Sequence, residues 1–294
     1  MRVFLRSLVF VWLLVSAGAV APRAERGASW LDRLNFYRAT AQLPPVAEDA
    51  ALSGAVKRHA RYMVVNGVVK HSEDRRDSSA TAEGAAAAAV SNLAGSSRAT
   101  ETDVWAVDTW MQAPFHALGM LDPALRTVGF GIERAPGRGK VQTAAGLDVI
   151  RGRSASPARD AVYPVVWPAN GATVPIAAHT GESPSPLASC PGFEAPAGLP
   201  LIVQLGSGGT VPHVVETWVL EGKQALEHCA FDERTYRNRD AAQQELGRRI
   251  LASRNAIVLV PRAPLRPGAT YRAVIEVNGR LIDWTFAISK DLRS

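Results

Sequence analysis

The sequence predicts an α+β domain followed by an all-β domain, and three observations carry that prediction. Apolar residues recur at helical spacing between residues 28 and 113. From residue 127 to 150 the period changes to two. Beyond residue 162 the period of two persists, punctuated by Pro-Gly and Asn-Gly pairs. Helices first and strands after them define an α+β domain. Short strands between regular turns predict an antiparallel β-sandwich.

The first helix is expected over 30–42, with Leu31, Leu34 and Arg38 at helical spacing and Pro44-Pro45 as its stop. The second begins near Glu48. Its core stripe is Leu52, Ala55, Val56, His59, Ala60 and Met63, and Asn66-Gly67 ends it. His59 on that stripe reads as a packed, hydrogen-bonded core histidine. Residues 72–100 are irregular, and the alanines at 85–89 fit either a helix or a long structured loop. Thr100-Glu101-Thr102-Asp103 looks like a capped helix start, Val104, Val107 and Met111 make the next core stripe, and Pro114 is expected to break that helix. Val128, Phe130 and Ile132 alternate in a strand over 127–133, and 141–150 can return as its partner. The polar run 151–161 reads as a linker to a second domain over 162–291. That domain is given candidate strands at 172–178, 200–205, 214–220, 256–260, 271–277 and 281–288. It also has a hairpin at Asn278-Gly279 and a helical insertion over 240–253.

The N-terminus reads as an export signal. Arg2 and Arg6 precede an apolar run at 7–16, and Ala17-Gly18-Ala19-Val20-Ala21 supplies small residues for cleavage. The run is shorter than the roughly 20 residues of a membrane span, and no Cys follows it for lipid attachment. The expectation is a cleaved signal over 1–24 and an exported, non-lipidated, periplasmic or extracellular protein without a stable membrane span. The net charge is +6, and loss of Arg2, Arg6 and Arg23 with the first 24 residues lowers it to +3. The remaining arginines are scattered among acids, as in Glu73-Asp74-Arg75-Arg76-Asp77, which argues against a nucleic-acid partner. The two cysteines, Cys190 and Cys229, both lie in the second half. In an oxidising compartment they suit a disulfide, with two separate buried thiols as the alternative.

Within the first domain the distinctive polar residues are His71, Glu83 and His116. Imidazole and carboxylate are ordinary ligands for zinc and similar ions, yet separations of 12 and 33 residues match no short ligand motif. The reading places Glu83 in a loop and His116 after a helix end.

An ordered set of words adds to this: Leu34-Asn35-Phe36-Tyr37-Arg38, Leu43-Pro44-Pro45-Val46, His59-Ala60-Arg61-Tyr62-Met63, Lys70-His71-Ser72-Glu73-Asp74, Glu83-Gly84 and Ser91-Asn92. It continues with Trp110-Met111-Gln112-Ala113-Pro114-Phe115-His116, Leu121-Asp122-Pro123 and Val128-Gly129-Phe130-Gly131. Over residues 28–150 this resembles the CAP superfamily (cysteine-rich secretory, antigen 5 and pathogenesis-related 1 proteins) in its bacterial, SCP-like form. The resemblance implies an α-β-α sandwich with a cavity of two His and two acids. His71, Glu83 and His116 are the residues carried over, and no acid follows Trp110 to supply the fourth. The second domain is similar to the immunoglobulin-like modules often appended to bacterial CAP domains, on Tyr163-Pro164, Trp167-Pro168 and the run from Leu265-Arg266-Pro267-Gly268 to Tyr271.

The expected function is an exported, non-enzymatic binding protein whose His/Glu cavity takes a divalent cation (zinc or calcium) or a small apolar ligand. Its partner would be a small ligand or an envelope component. Two alternatives stand beside it: a metal-dependent hydrolase or peptidase of the cell envelope using the open three-ligand set, and a structural or adhesive envelope protein with a vestigial cavity.

Overall fold

The computed structural model describes residues 29–137, 139–156, 162–206 and 211–292. The expected export signal and residues 157–161 of the expected linker lie outside the described residues.

The first half begins with α1 (Trp30–Ala39), started by a capping box in which the Ser29 hydroxyl and the Asp32 carboxylate satisfy each other's backbone N–H groups. After the short strand β1 (Ala47–Glu48) comes α2 (Ala50–Asn66), capped by the Asp49 carboxylate and ended by Gly67 at φ 64°. Then follow α3 (Ala82–Ala88), β2 (Ser91–Ser96), α4 (Asp103–Met111), α5 (Pro114–Met120), β3 (Thr127–Arg134) and β4 (Thr143–Asp148). The strands form one sheet in the order β1-β3-β4-β2.

The period of two in β3 sets the layers. Phe130 faces one side, where it stacks on Trp30 of α1 at 4.8 Å between ring centroids and meets Trp110 of α4 edge-on at 6.4 Å. Gly129 and Gly131 face the other side, where α2 lies so close that a Cβ on either would strike the helix backbone at Leu52 or Lys57. The sheet is thus covered by α2 on one face and by α1 and α4 on the other, the α-β-α sandwich expected from the sequence.

The second half is β-rich. Its strands are β5 (Val165–Trp167), β6 (Ala172–Val174), β7 (Ala178–His179), β8 (Ala197–Gly198), β9 (Leu201–Gln204), β10 (Val214–Glu221), β11 (Gln224–Ala225), β12 (His228–Phe231), β13 (Ala256–Pro261), β14 (Thr270–Val277) and β15 (Arg280–Ile288), with α6 (Ala241–Ala252) between β12 and β13. Two sheets, in the orders β11-β10-β14-β15-β6 and β12-β13-β9-β5, are accompanied by the pair β7-β8. Asn278 and Gly279 sit at φ 51° and 70° between β14 and β15, the conformation of a two-residue hairpin turn. Cys190 and Cys229 form a disulfide with their Cα atoms 5.6 Å apart, and it anchors β12 to the short helical turn at Pro186–Ser189.

The halves share one hydrophobic core. Trp167 of β5 is fully buried against Tyr37 of α1, and its indole N–H donates to the Thr40 hydroxyl at 3.1 Å. Phe115 of α5 packs on Phe231 and Tyr236 at 6.2 and 5.1 Å. The buried Asp122 carboxylate receives Arg153 at 2.8 Å and Arg254 at 2.6 Å.

Several local expectations are corrected. The alanine-rich stretch is the helix α3, and Thr81 caps it by accepting from Gly84 N. Pro114 does not merely end α4. It opens α5 at the first helical position, where its missing N–H costs nothing. The strands β5, β8, β11 and β12 stand where no strand was expected.

Candidate functional site: a two-histidine pocket between the halves

His71 and His116 come together, and Glu83 does not join them. Both histidines line a pocket of about 380 Å³ at the junction of the two halves. His71 lies on the segment between α2 and α3, exposed at the rim, and His116 lies in the first turn of α5. Glu83 sits on the exposed side of α3, in a helix rather than a loop, and is not part of the pocket wall. Among the described residues no group of three or more His, Cys, Asp or Glu side chains is placed to hold a metal ion.

Each histidine has one ring nitrogen engaged. His71 Nδ1 lies 2.8 Å from the Ala88 carbonyl, which only accepts, so Nδ1 carries the proton and the neutral ring keeps its lone pair on Nε2. The residue as a whole is exposed, but its neighbours partly enclose the ring, and that partial desolvation pushes the His71 pKa below its ordinary value. The Ala88 carbonyl pulls the other way, and His116 and His59 add small lowering effects.

His116 Nδ1 donates to Glu182 at 2.7 Å. Glu182 comes from the second half, on the stretch between β7 and β8, and its side chain is almost fully buried. The same carboxylate accepts from the backbone N–H groups of Phe115 and His116 at 3.2 and 3.3 Å. It therefore supplies the cap that Ala113, lacking a polar side chain, cannot give to α5. A carboxylate on one ring nitrogen fixes an imidazole's orientation and tautomer.

Sequence reasoning missed Glu182, and no local signal marks it. It lies 66 residues beyond His116, in a Gly- and Pro-containing turn of the other half. It also missed Ser91. This residue opens β2, lines the same pocket and is 5% exposed, and among the described residues its hydroxyl has no hydrogen-bond partner. Asn92 beside it donates to the His116 carbonyl at 3.1 Å and so ties β2 to α5.

Most of the remaining wall is apolar, with Ser183 and Arg254 as its polar members. Val90, Phe115 and Val149 come from the first half, and Pro184, Leu246 and Ile250 from the second. His59 and His179 are structural. His59 is buried between the Glu73 carboxylate and the Lys70 carbonyl, both at 2.9 Å, and His179 Nδ1 meets the Gln112 carbonyl at 2.9 Å.

The fold and site define a class: an α-β-α sandwich with a histidine-lined pocket that a β-rich second unit partly closes. Residues 31–145 match the family described as CAP, the cysteine-rich secretory protein family, so the first half carries a CAP domain. None of the curated proteins compared with the chain matches it.

Proposed function

We propose that this protein is exported and acts as a non-enzymatic binding protein whose junction pocket takes a small apolar ligand. The observation that supports the reading is the pocket itself: a largely apolar wall contributed by both halves, with a few convergent polar groups at His71, Ser91 and His116. Its size and mixture of surfaces are those of small-molecule sites, which run from about 300 to 1,000 Å³. Export is in keeping with the disulfide and with a CAP domain, whose family is named for secreted proteins. Among the described residues no helix is long and apolar enough to cross a membrane.

A divalent cation is a poor match for the residues present. The two imidazoles lack a third ligand in the pocket, since Glu83 lies outside its wall and Glu182 is taken up by three N–H donors. The metal-dependent hydrolase reading needs such a third ligand.

The test is displacement of a solvatochromic apolar dye from the purified protein. Saturable binding at one site per chain is expected, weakened by Leu246→Glu at the exposed rim of the pocket. Absence of saturable dye binding would sink the reading and favour a structural envelope protein with a vestigial cavity.

A further inference from the structure

We infer that the outer face of the five-stranded sheet in the second half is a docking surface for an extended basic segment of another protein, laid along the edge strand β10. The alternation of β10, β14 and β15 sends one set of side chains into the core and the other to solvent. The strand register then decides which residues are neighbours on the solvent side. Glu216 of β10 lies directly opposite Glu276 of β14, and Glu276 lies opposite Leu281 of β15. In the next row Trp218 lies opposite Val274. Trp218 and Leu281 are 43% and 67% exposed, so large apolar side chains stand beside two acids on an open face.

The charge of this face calls for a cation. Side chains directly opposite in an antiparallel pair have Cβ atoms about 4.5–5.5 Å apart, and like charges there are destabilising. Glu216 and Glu276 are such a pair. Both are exposed, and among the described residues neither carboxylate meets a cation. A third acid on the same face, Asp283, is matched by Arg272 at 2.8 Å. The chain as a whole carries +6, so composition does not account for an acidic patch here. Trp218 sits two residues along from Glu216, and an indole face attracts a lysine or arginine side chain.

The backbone gives the partner its shape. β11 pairs with β10 at Leu220 and Glu221, and among the described residues no strand borders β10 on that side from Val214 to Trp218. An edge of this kind offers its main-chain groups to an added strand. In such a strand the residues facing Glu216 and Trp218 are two apart and share the outer face. A lysine or arginine would meet Glu216, and the residue after next would lie on the indole. A second copy of this chain suits the edge poorly, because it would bring the same carboxylates with it.

The experiment follows a fluorescein-labelled peptide of alternating lysine and valine by anisotropy against the full chain, beside the glutamate-valine peptide. Saturable binding of the lysine peptide is expected, at least about tenfold tighter than that of the glutamate peptide and weakened by added salt. Glu216→Gln/Glu276→Gln should weaken it roughly tenfold and raise the melting temperature, since the like-charge pair is gone. Trp218→Ala should weaken it by about three- to tenfold. Glu194→Gln, at an exposed acid elsewhere in the second half, should leave it unchanged. Equal affinity for both peptides, binding of neither, or a lysine peptide that the double variant holds as tightly overturns the assignment. An equal loss in Glu194→Gln overturns it as well, because the attraction is then general to the chain's acids. Self-association of the native chain in sedimentation, lost in Trp218→Ala, overturns it in favour of a second copy. These outcomes leave the junction pocket untouched, since none of its wall residues is altered.

Discussion

The residue that carries most weight for its size is Glu182. One carboxylate caps α5, holds the His116 ring and ties the second half to the first. Glu182→Gln keeps the shape and removes the charge, and one of its terminal atoms becomes a donor facing N–H groups. The expected cost is about 1–3 kcal/mol in urea unfolding, the range for a buried hydrogen bond to a charged group. The His116 side-chain ¹⁵N shifts should also lose the signature of a single Nδ1–H tautomer; unchanged shifts would mean that Glu182 does not set the ring's state. His71 gives a pH prediction. Its folded pKa lies below the ordinary 6.5, chiefly because partial enclosure of the ring disfavours its charged form. Between the folded value and 6.5 the unfolded chain binds more protons, so stability rises with pH through that window. The contribution is complete above 6.5 and is lost as pH falls through the lowered value. Stability measured from pH 7.5 to 5 should fall less steeply in His71→Asn than in the native chain. Sequence alone singled out His71 and His116, which line one pocket, because the words around them come in a fixed order. It could not reach Glu182, whose partnership arises only when the halves dock. Glu83 was carried over on a two-residue word that also fits an exposed helix start.

At the scale of elements, the approach of α2 to β3 decides how thin the sandwich is. Pattern reading located both elements because a 17-residue amphipathic helix and an alternating strand have strong periods. It gave no hint that Gly129 and Gly131 form the contact surface, since a glycine in a strand leaves no periodic signal. Gly131→Ala places a methyl against the Lys57 backbone, which has no rotamer with which to yield. The expected loss is about 1–3 kcal/mol, typical of overpacking. Gly137→Ala is the comparison: nothing lies within 4 Å of its Cβ position, and only its φ of 75° resists the change. The glycine at 131 should therefore cost more than the one at 137 in denaturant melts, and the reverse order would mean that backbone conformation outweighs packing here. The short strands β5, β8, β11 and β12 escaped the sequence for the opposite reason. With two to four residues each, they repeat the alternation at most twice, too few times to stand out as a pattern, and their pairing is set by longer neighbours such as β9 and β13.

At the scale of the whole molecule, the shared core makes a prediction about cooperativity. Tyr37 is sealed by Trp167, Phe115 by Phe231 and Tyr236, and Asp122 is held by Arg153 and Arg254. Opening the junction would therefore expose aromatic surface and leave a buried carboxylate without its nearest cation, a combination that costs several kcal/mol. Neither half can then unfold at little cost to the other, although the sequence reads as two domains joined by a polar stretch. The disulfide lies wholly in the second half, with a sequence separation of 39 residues, so its loss raises the unfolded-state entropy of that half alone. The loop-closure relation sets the stabilisation lost in Cys190→Ala/Cys229→Ala at roughly 3–4 kcal/mol. If the halves are coupled, that local loss should lower the melting temperature of the whole chain in a single calorimetric transition. The calorimetric and van't Hoff enthalpies should agree for both proteins. Fluorescence from Trp30 and Trp110 in the first half should shift together with signals from the second. Two resolved transitions in the double variant, with the first-half tryptophans melting at the native temperature, would show that the junction contacts do not bind the halves into one folding unit.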